Sequence, residues 1–113
     1  MILMSCDIDG TLEVGDPPGV LTMAIVRRVQ EQGCVIGSCS DRPMSAQRAI
    51  WAQHHIAVDF AVGKLMLPEV KAQFVADVYY HSGDRADLDR KYALAAGFAF
   101  LWPHEALVQP WFR

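Results

Sequence analysis

The sequence predicts an α/β fold, a three-layer α/β/α Rossmann-like sandwich around a mainly parallel five-stranded sheet. Short apolar runs alternate with amphipathic segments of helical length along the whole chain. This alternation is typical of right-handed βαβ units and therefore of a parallel sheet. The chain has 113 residues, of which 52% are hydrophobic, so we expect one domain spanning residues 1–113 with a substantial core.

Five strands are predicted from short apolar runs that end at glycine, proline or polar residues. The first run, ILMSC at residues 2–6, leads directly into Asp7 and reads as a buried strand. The remaining strands are predicted at residues 34–38, 58–62, 78–81 and 98–101.

Four helices are predicted between these strands, and a short helix or turn follows the last strand. In residues 21–33, apolar side chains from Leu21 to Val29 recur every three or four positions. Thr22 is a candidate N-cap of this helix, and Gly33 ends it. The other helices are predicted at residues 43–54, 68–76 and 87–96.

Composition and charge narrow the class of protein. The net charge of −3 gives no attraction to nucleic acid or to an anionic membrane surface. No apolar run approaches the roughly 20 residues that a membrane span needs, and no signal-peptide pattern precedes the first strand. The three cysteines, an odd number in apolar surroundings, favour reduced buried thiols and hence a cytoplasmic protein.

Chemistry-bearing side chains follow the predicted strands, where ligands of parallel sheets bind. Asp7 and Asp9 lie one residue apart at the end of the first strand. Two carboxylates about 4 Å apart repel by roughly 4 kcal/mol at an effective dielectric constant of 20. A metal or phosphoryl-transfer site explains such a cost. Hydroxyls, a lysine and further acids follow the other strands: Ser38, Ser40, Asp41, Arg42, Lys64, Asp84, Asp87 and Asp89.

These residues resemble the motifs of the phosphatases of the haloacid dehalogenase superfamily. DIDGTL at residues 7–12 matches the first motif of that family, DxDGT. SDRP at residues 40–43 resembles the second motif, and GDRADLD at residues 83–89 resembles the fourth. The resemblance covers residues 1 to about 102 and implies the same α/β fold.

The resemblance implies a role for five residues of the first two motifs. Asp7 would be the nucleophile that forms an aspartyl-phosphate, and Asp9 would be the general acid and base. Gly10 would allow a sharp turn, and Thr11 would orient Asp9 through a hydrogen bond. Ser40 would donate a hydrogen bond to a phosphoryl oxygen. By the same resemblance, Gly10 and Thr11 are expected to take part in substrate binding.

The implied cofactor is Mg²⁺, a hard cation that prefers oxygen ligands. The Asp7 carboxylate, the Asp9 main-chain carbonyl and the Asp84 carboxylate would bind the ion, and Asp89 would hold a metal-bound water. The family's third motif is a lysine, for which two candidates stay open. Lys64 is favoured because it follows the third strand directly, whereas Lys71 lies one or two turns into the next helix.

Several neighbouring side chains have alternative assignments. Asp41 and Arg42 either contact substrate or belong to a solvated loop, and Ser38 competes with Ser40 for the phosphoryl group. Asp87 is expected to face solvent. His81 either touches the site or packs in the core, with core packing favoured. Three further side chains are assigned to the core or the surface: Trp51 and Trp102 are expected in the core, and His104 at the surface.

The spacing of the motifs leaves no room for a cap domain. Between Asp9 and Ser40 there is space for a loop and one helix, and between Ser40 and Lys64 for one helix and one strand. Residues 13–19 are at most a small flap. An open site of this kind suits a macromolecular substrate or a site covered by a second copy of the chain. We favour a small phosphorylated substrate, because the acidic balance disfavours nucleic acid.

The expected function is therefore Mg²⁺-dependent hydrolysis of a phosphate monoester. Two alternatives are a regulatory or binding protein with little turnover and a phosphatase acting on a protein or a nucleic-acid end. A phosphoacceptor receiver domain is excluded, because it needs its aspartate after the third strand and its lysine after the fifth. Trp111 and Phe112 either pack back on the sheet or cover a partner surface, and self-association is favoured.

Overall fold

The computed structural model, which describes residues 1–112, has a single sheet of five parallel strands in the order β3-β2-β1-β4-β5. The predicted α/β class is confirmed, and the described sheet is entirely parallel. The strands are Ile2–Cys6 (β1), Val35–Cys39 (β2), Phe60–Val62 (β3), Val78–Ser82 (β4) and Ala99–Leu101 (β5).

Within residues 1–112, five α-helices flank this sheet, and their limits differ from the predicted ones by a few residues. The first begins after Thr22, whose Oγ1 accepts a hydrogen bond from the Ile25 amide at 3.2 Å, as expected of an N-cap. The predicted helix at 87–96 is divided into a π-helical turn, Ala86–Arg90, and an α-helix. The helices are Met23–Glu31 (α1), Met44–Gln53 (α2), Leu67–Gln73 (α3), Lys91–Ala95 (α4) and Pro103–Leu107 (α5).

The sheet separates two apolar cores, which makes the fold a three-layer sandwich. Alternate side chains of β1 point to opposite faces, with Met4 and Cys6 in one core and Leu3 in the other. The first core is closed by α1, α2 and α5, and includes Val26 and Trp51. The second is closed by α3 and α4 and includes residues such as Leu67, Val70, Ala93 and Phe98.

The strand order places a topological switch point at the centre of the sheet. From β1 the chain proceeds outward through β2 and β3, and it then returns to the other side of β1 to form β4 and β5. Ligands of open α/β sheets bind beyond the carboxyl ends of the strands at such a point. Asp7 and Gly83, the residues that follow β1 and β4, lie there.

The end of the described chain packs back on the first core. Phe112 is buried, and the Trp111 ring stacks on Tyr80 with 4.9 Å between centroids. These two side chains therefore do not form an exposed surface, and self-association stays a prediction without their support. Trp51 is buried as expected. Trp102 is only half-buried and belongs to neither core, so its assignment to the core was wrong; its ring packs edge-on against Phe100 beyond the end of β5.

The segment between β1 and α1 is folded against the strand end rather than held away from it. Leu12 and Leu21 form an isolated bridge, and the Gly10 amide donates to the Pro17 carbonyl at 2.7 Å. A Cβ on Gly15 would lie 2.3 Å from the Ile8 carbonyl oxygen, so only glycine allows this approach. Residues 13–19 are thus a tightly packed loop. Among residues 1–112, no helix is both long enough and apolar enough to cross a membrane.

Candidate active site

Asp7 marks the centre of the site, directly beyond β1. Its amide donates to the Ser82 carbonyl at 2.9 Å, which extends the pairing with β4 by one residue. The residue is 5% exposed, and its Oδ1 accepts a hydrogen bond from the Ile8 amide at 2.8 Å. The side chain is therefore held at the strand end and cannot turn freely into solvent.

Asp7, Asp84 and Asp89 form a group that we call the acid cluster. One carboxylate oxygen from each lies within 4.8 Å of the others. Asp89 is completely buried, whereas Asp84 is exposed at the rim. Three carboxylates converging on one point, one of them open to solvent, are a donor set that fits a hard divalent cation. These residues therefore fit the predicted Mg²⁺ ion.

Two glycines make room for this cluster. Gly10 has φ +75°, and a Cβ there would lie 1.9 Å from Asp84 Oδ2. A Cβ on Gly83 would lie 2.1 Å from the Asp89 carboxyl carbon. Both positions therefore exclude larger residues for steric reasons. Gly10 acts by admitting Asp84, in addition to the predicted turn, and the role of Gly83 was not foreseen.

Lys64 is the lysine that the fold brings to the acid cluster. It opens a 3₁₀ turn, Lys64–Met66, directly after β3, and it is 7% exposed. Its Nζ lies 3.2 Å from Asp89 Oδ1 and 3.6 Å from Asp7 Oδ2. Burial disfavours the ammonium, but the charges of Asp7 and Asp89 outweigh burial and raise its pKa.

Lys71, the alternative lysine, lies elsewhere. Its ammonium donates to the Gly97 carbonyl at 3.2 Å and lies over the Tyr79 ring. It is exposed on α3, which begins one residue earlier than predicted, and its ammonium contacts Gly97 and Tyr79 rather than the acid cluster.

The Asp89 carboxylate is fixed from three directions. Oδ1 accepts from His81 Nε2 at 3.0 Å and faces Lys64, and Oδ2 accepts from the Arg85 amide at 3.1 Å. Burial alone would raise the pKa of Asp89, but His81 and Lys64 outweigh burial and lower it. Nδ1 of His81 lies 2.9 Å from the Ser5 hydroxyl. His81 therefore packs in the core, as favoured, and also reaches the site through Asp89.

Asp7 has the opposite electrostatic balance. Burial, followed by repulsion from Asp89, raises the pKa of Asp7 to about 7, although Lys64 and the Ile8 amide oppose this shift. In the metal-free chain the cluster therefore holds more negative charge than one lysine neutralises. A bound cation would relieve this repulsion, which agrees with the donor set.

Asp9 lies at the edge of the site and is paired with Arg42. Its Oδ1 accepts from Arg42 Nη2 at 2.6 Å and from the Asp16 amide at 2.7 Å, and Oδ2 accepts from Arg42 Nε at 3.1 Å. This two-pronged pairing with Arg42 lowers the pKa of Asp9. Arg42 is therefore part of the site rather than of a solvated loop.

Thr11 does not orient Asp9 as the motif implied. Its side chain is completely buried, and its hydroxyl has no hydrogen-bonding partner among the described residues. Thr11 is also not among the residues that line the cavity beyond the strand ends. The expected role of Thr11 as an orienting and substrate-binding residue is corrected, because Arg42 and the Asp16 amide already occupy the Asp9 carboxylate.

Ser40 and Ser38 are separated by the direction of their side chains. Ser40 lines the cavity, and its Oγ accepts from the Arg42 amide at 3.1 Å. Ser38 is inside the core, where its Oγ donates to Gln47 Oε1 at 2.7 Å and accepts from Trp51 Nε1 at 2.9 Å. Ser38 is therefore not available to a phosphoryl group.

Gln47 supports the second motif, and sequence reasoning missed it. It is a buried polar residue of α2, whose Nε2 donates to the Arg42 carbonyl at 2.8 Å and to the Val62 carbonyl at 3.0 Å. It thus ties the loop after β2 to the end of β3. The signal in the sequence was a lone glutamine four residues beyond Pro43, on the face that carries Trp51.

The cavity at this edge has a volume of about 220 Å³. It is lined by polar residues together with Pro17: Asp7, Asp9, Pro17, Ser40, Asp41, Lys64, Asp84 and Arg85. We call it the acid cavity. Asp41 is exposed, with Oδ2 3.8 Å from Lys64 Nζ. Asp87 faces solvent, paired with Arg85 at 2.7 Å.

Comparison with models of known protein families, with curated proteins and with solved structures gives no match. The resemblance to haloacid dehalogenase phosphatases therefore stays a prediction that rests on the motifs, and any statement on function rests on the motifs and on this geometry.

Proposed function

We propose that the protein is a Mg²⁺-dependent phosphatase that hydrolyses a phosphate monoester through an aspartyl-phosphate. The observation that carries the proposal is the position of Asp7, which lies with Lys64, Asp84 and Asp89 at the switch point of the sheet. A nucleophilic carboxylate needs cations nearby to approach an anionic phosphate, and this arrangement supports one ammonium and one divalent ion.

Mg²⁺ would be held by Asp7, Asp84 and Asp89, with the Asp9 main-chain carbonyl as a further ligand. When bound, it would withdraw charge from the transferring phosphoryl group. Lys64 would supply a fixed positive charge beside Asp7. Ser40 lines the acid cavity and would donate its hydroxyl hydrogen to a phosphoryl oxygen.

The proposed chemistry has two displacements. In the first, an Asp7 oxygen bonds to phosphorus, the ester P–O bond breaks, and Asp9 gives its proton to the leaving oxygen. In the second, Asp9 takes a proton from water while the water oxygen bonds to phosphorus, which releases phosphate and regenerates Asp7. Each displacement avoids the strong nucleophile that a single hydrolytic step would require.

The proposed role of Asp9 as general acid requires that its pairing with Arg42 be broken when the substrate binds. A general acid must carry a proton, yet Arg42 lowers the pKa of Asp9 in the free chain. We propose that the substrate phosphate draws the Arg42 guanidinium away from Asp9. Asp9 would then lose its counter-charge beside a new anion, and its pKa would rise toward the value that an acid needs. Arg42 would thus contact the substrate, which is one of the two alternatives that the sequence left open.

The remaining parts of the proposal concern partners and location. We favour a small phosphorylated molecule as the substrate, because the acid cavity has a volume of about 220 Å³. A nucleic acid is disfavoured, because the chain has a net charge of −3. A cytoplasmic location agrees with three free cysteines, of which Cys6 and Cys39 are buried.

The test is release of p-nitrophenol from p-nitrophenyl phosphate with and without Mg²⁺. We expect Mg²⁺-dependent turnover that Asp7→Asn reduces by roughly a thousandfold or more. Asp87→Asn is the matched control, because Asp87 belongs to the same acidic segment but is exposed and paired with Arg85. Calorimetry with Mg²⁺ would show that each variant is folded and whether it still binds the ion. Folded, Mg²⁺-binding protein without turnover would contradict the phosphatase and favour a regulatory role.

A further inference from the structure

A second cavity of about 540 Å³ adjoins the acid cavity. The two share the lining residues Ser40, Asp41 and Lys64. We call the second cavity the apolar pocket, because the rest of its wall is mainly apolar: Pro43, Met44, Leu65, Met66, Leu88 and Tyr92. Its volume lies within the roughly 300–1,000 Å³ typical of small-molecule sites.

The segments that carry the chemistry also build this pocket. Met44 begins α2 two residues after Arg42. Leu65 belongs to the 3₁₀ turn that Lys64 opens, and Tyr92 follows Asp89 by three residues. The position of the pocket relative to Asp7 is therefore fixed by the same backbone that fixes the acid cluster.

Large apolar side chains at this pocket are left in contact with water. Leu65 is 72% exposed, Met44 51% and Met66 38%. Such a grouping beside a polar cleft is typical of a ligand-binding surface. The flexible thioethers of two methionines adapt to the shape of a bound ring, and Tyr92 offers an aromatic face.

The charges around the pocket indicate what it binds. Arg42 and Lys64, the cationic lining residues within residues 1–112, are both paired with carboxylates, and Asp41 adds a negative charge at the shared edge. A second anionic group on the ligand would meet Asp41 without a free counter-charge. An uncharged body meets no such penalty.

We propose that the apolar pocket binds the alcohol portion of a small phosphate monoester, and that this portion is an uncharged aromatic ring. The inference rests on the proposed function, because the phosphate of the same molecule occupies the acid cavity. The pocket would then act as the specificity-determining part of a site that has no cap domain within residues 1–112.

Binding of two phosphonates, which carry no ester bond to hydrolyse, tests this inference without turnover. Calorimetry in the presence of Mg²⁺ would compare phenylphosphonate with methylphosphonate. Burial of one methylene strengthens binding about fourfold, so a buried ring is expected to give at least a tenfold preference for phenylphosphonate. Equal affinities would overturn the proposal.

Two surface variants test whether the preference for phenylphosphonate arises in the apolar pocket. Leu65→Asn removes an exposed apolar side chain of the pocket and is expected to reduce the preference several-fold. Val108→Asn removes an equally exposed apolar side chain that does not line it, and should leave the preference unchanged. Equal effects of the two variants would overturn the assignment. So would a dimer that Leu65→Asn dissociates, since a second copy would then occupy the pocket.

The two proposals fail in different ways. Turnover of p-nitrophenyl phosphate that depends on Asp7, together with equal affinities for the phosphonates, would leave the phosphatase and remove the pocket. A preference for phenylphosphonate without any turnover would keep the pocket and remove the phosphatase.

Discussion

Two carboxylates of the site, Asp89 and Asp9, are held in contrasting ways. Asp89 is completely buried and is fixed by His81, Lys64 and the Arg85 amide. Asp9 lies at the edge and is held by one backbone amide and by Arg42, whose side chain is 31% exposed. Both have a lowered pKa.

Although the pKa of both carboxylates is lowered, the stability cost of removing the charged partner is expected to differ between the two positions. Breaking a buried charge pair is costly, because the remaining charge is left without water. An exposed pair is worth little, because water replaces the lost partner. Asp89 therefore suits a permanent anchor, and Asp9 suits a group that changes partner and protonation during a reaction.

The largest effect is expected from removing the Lys64 ammonium, which pairs with the buried carboxylates of Asp7 and Asp89. Lys64→Met leaves Asp7 and Asp89 buried without their ammonium, which should lower the free energy of unfolding by about 3–5 kcal/mol. Urea denaturation of the metal-free protein would measure this. Lys71→Met is the matched control and should cost less than about 1 kcal/mol, since Lys71 is exposed. Equal costs would contradict the assignment of Lys64.

The next effect is a pH dependence of the unfolding free energy that arises from Asp7, which lies beside Lys64 and Asp89. Its pKa is about 7 in the folded chain against an ordinary 3.8, so the folded state retains a proton that the unfolded state has released. Metal-free stability should therefore fall as pH rises from about 4 to about 7, by on the order of 3 kcal/mol. Denaturation of Asp7→Asn across this range should lack that fall. A wild-type curve that matches the variant would contradict the raised pKa.

A smaller effect is expected from removing a support of Asp89. His81→Leu deletes the hydrogen bond to Asp89, and should cost about 1–3 kcal/mol in unfolding free energy. It should also weaken Mg²⁺ binding about ten- to a hundredfold, because Asp89 is no longer oriented. Ser5→Ala removes only the remoter contact to His81 and should weaken Mg²⁺ binding less. Unchanged Mg²⁺ affinity in His81→Leu would show that Lys64 and the Arg85 amide suffice.

The smallest stability effect is expected at the edge. Arg42→Gln removes the guanidinium from Asp9, and should change the unfolding free energy by less than about 1 kcal/mol. The pKa of Asp9 should nevertheless rise, which NMR titration of the side-chain carboxyl carbon would detect. A large loss of stability, or an unchanged pKa of Asp9, would contradict the view that this pair, unlike the buried pairing of Asp89, is exchangeable.

Much of the fold was predictable because periodicity is local information. The apolar run before Asp7 and the cap at Thr22 identified β1 and the start of α1. The π-helical turn at Ala86–Arg90 was not predicted, because the same residues read equally well as the first turn of an α-helix. Asp89 lies in that turn and is buried, while Asp87 and Arg90 on either side are exposed.

The site was predictable as a set of residues but not as a set of contacts. Lys64 and Lys71 both fitted the spacing, and only the folded chain pairs Lys64 with the acid cluster and Lys71 with the Gly97 carbonyl. The sequence offered Asp9 as a partner for the Thr11 hydroxyl, but in the folded chain Arg42 pairs with the Asp9 carboxylate instead. Gln47 was missed, and the partners of His81 were not predicted, because a lone polar residue in an apolar segment gives no indication of its partner.

The sequence by itself determined the strand–helix order and the placement of acids, hydroxyls and a lysine at strand ends. These follow from local side-chain patterns and from the geometry of parallel sheets. The tertiary structure alone decided which carboxylates converge, which lysine neutralises them, and that an apolar pocket adjoins them. Burial and charge pairing depend on residues distant in the chain, and only the folded backbone brings these side chains within a few ångströms of one another.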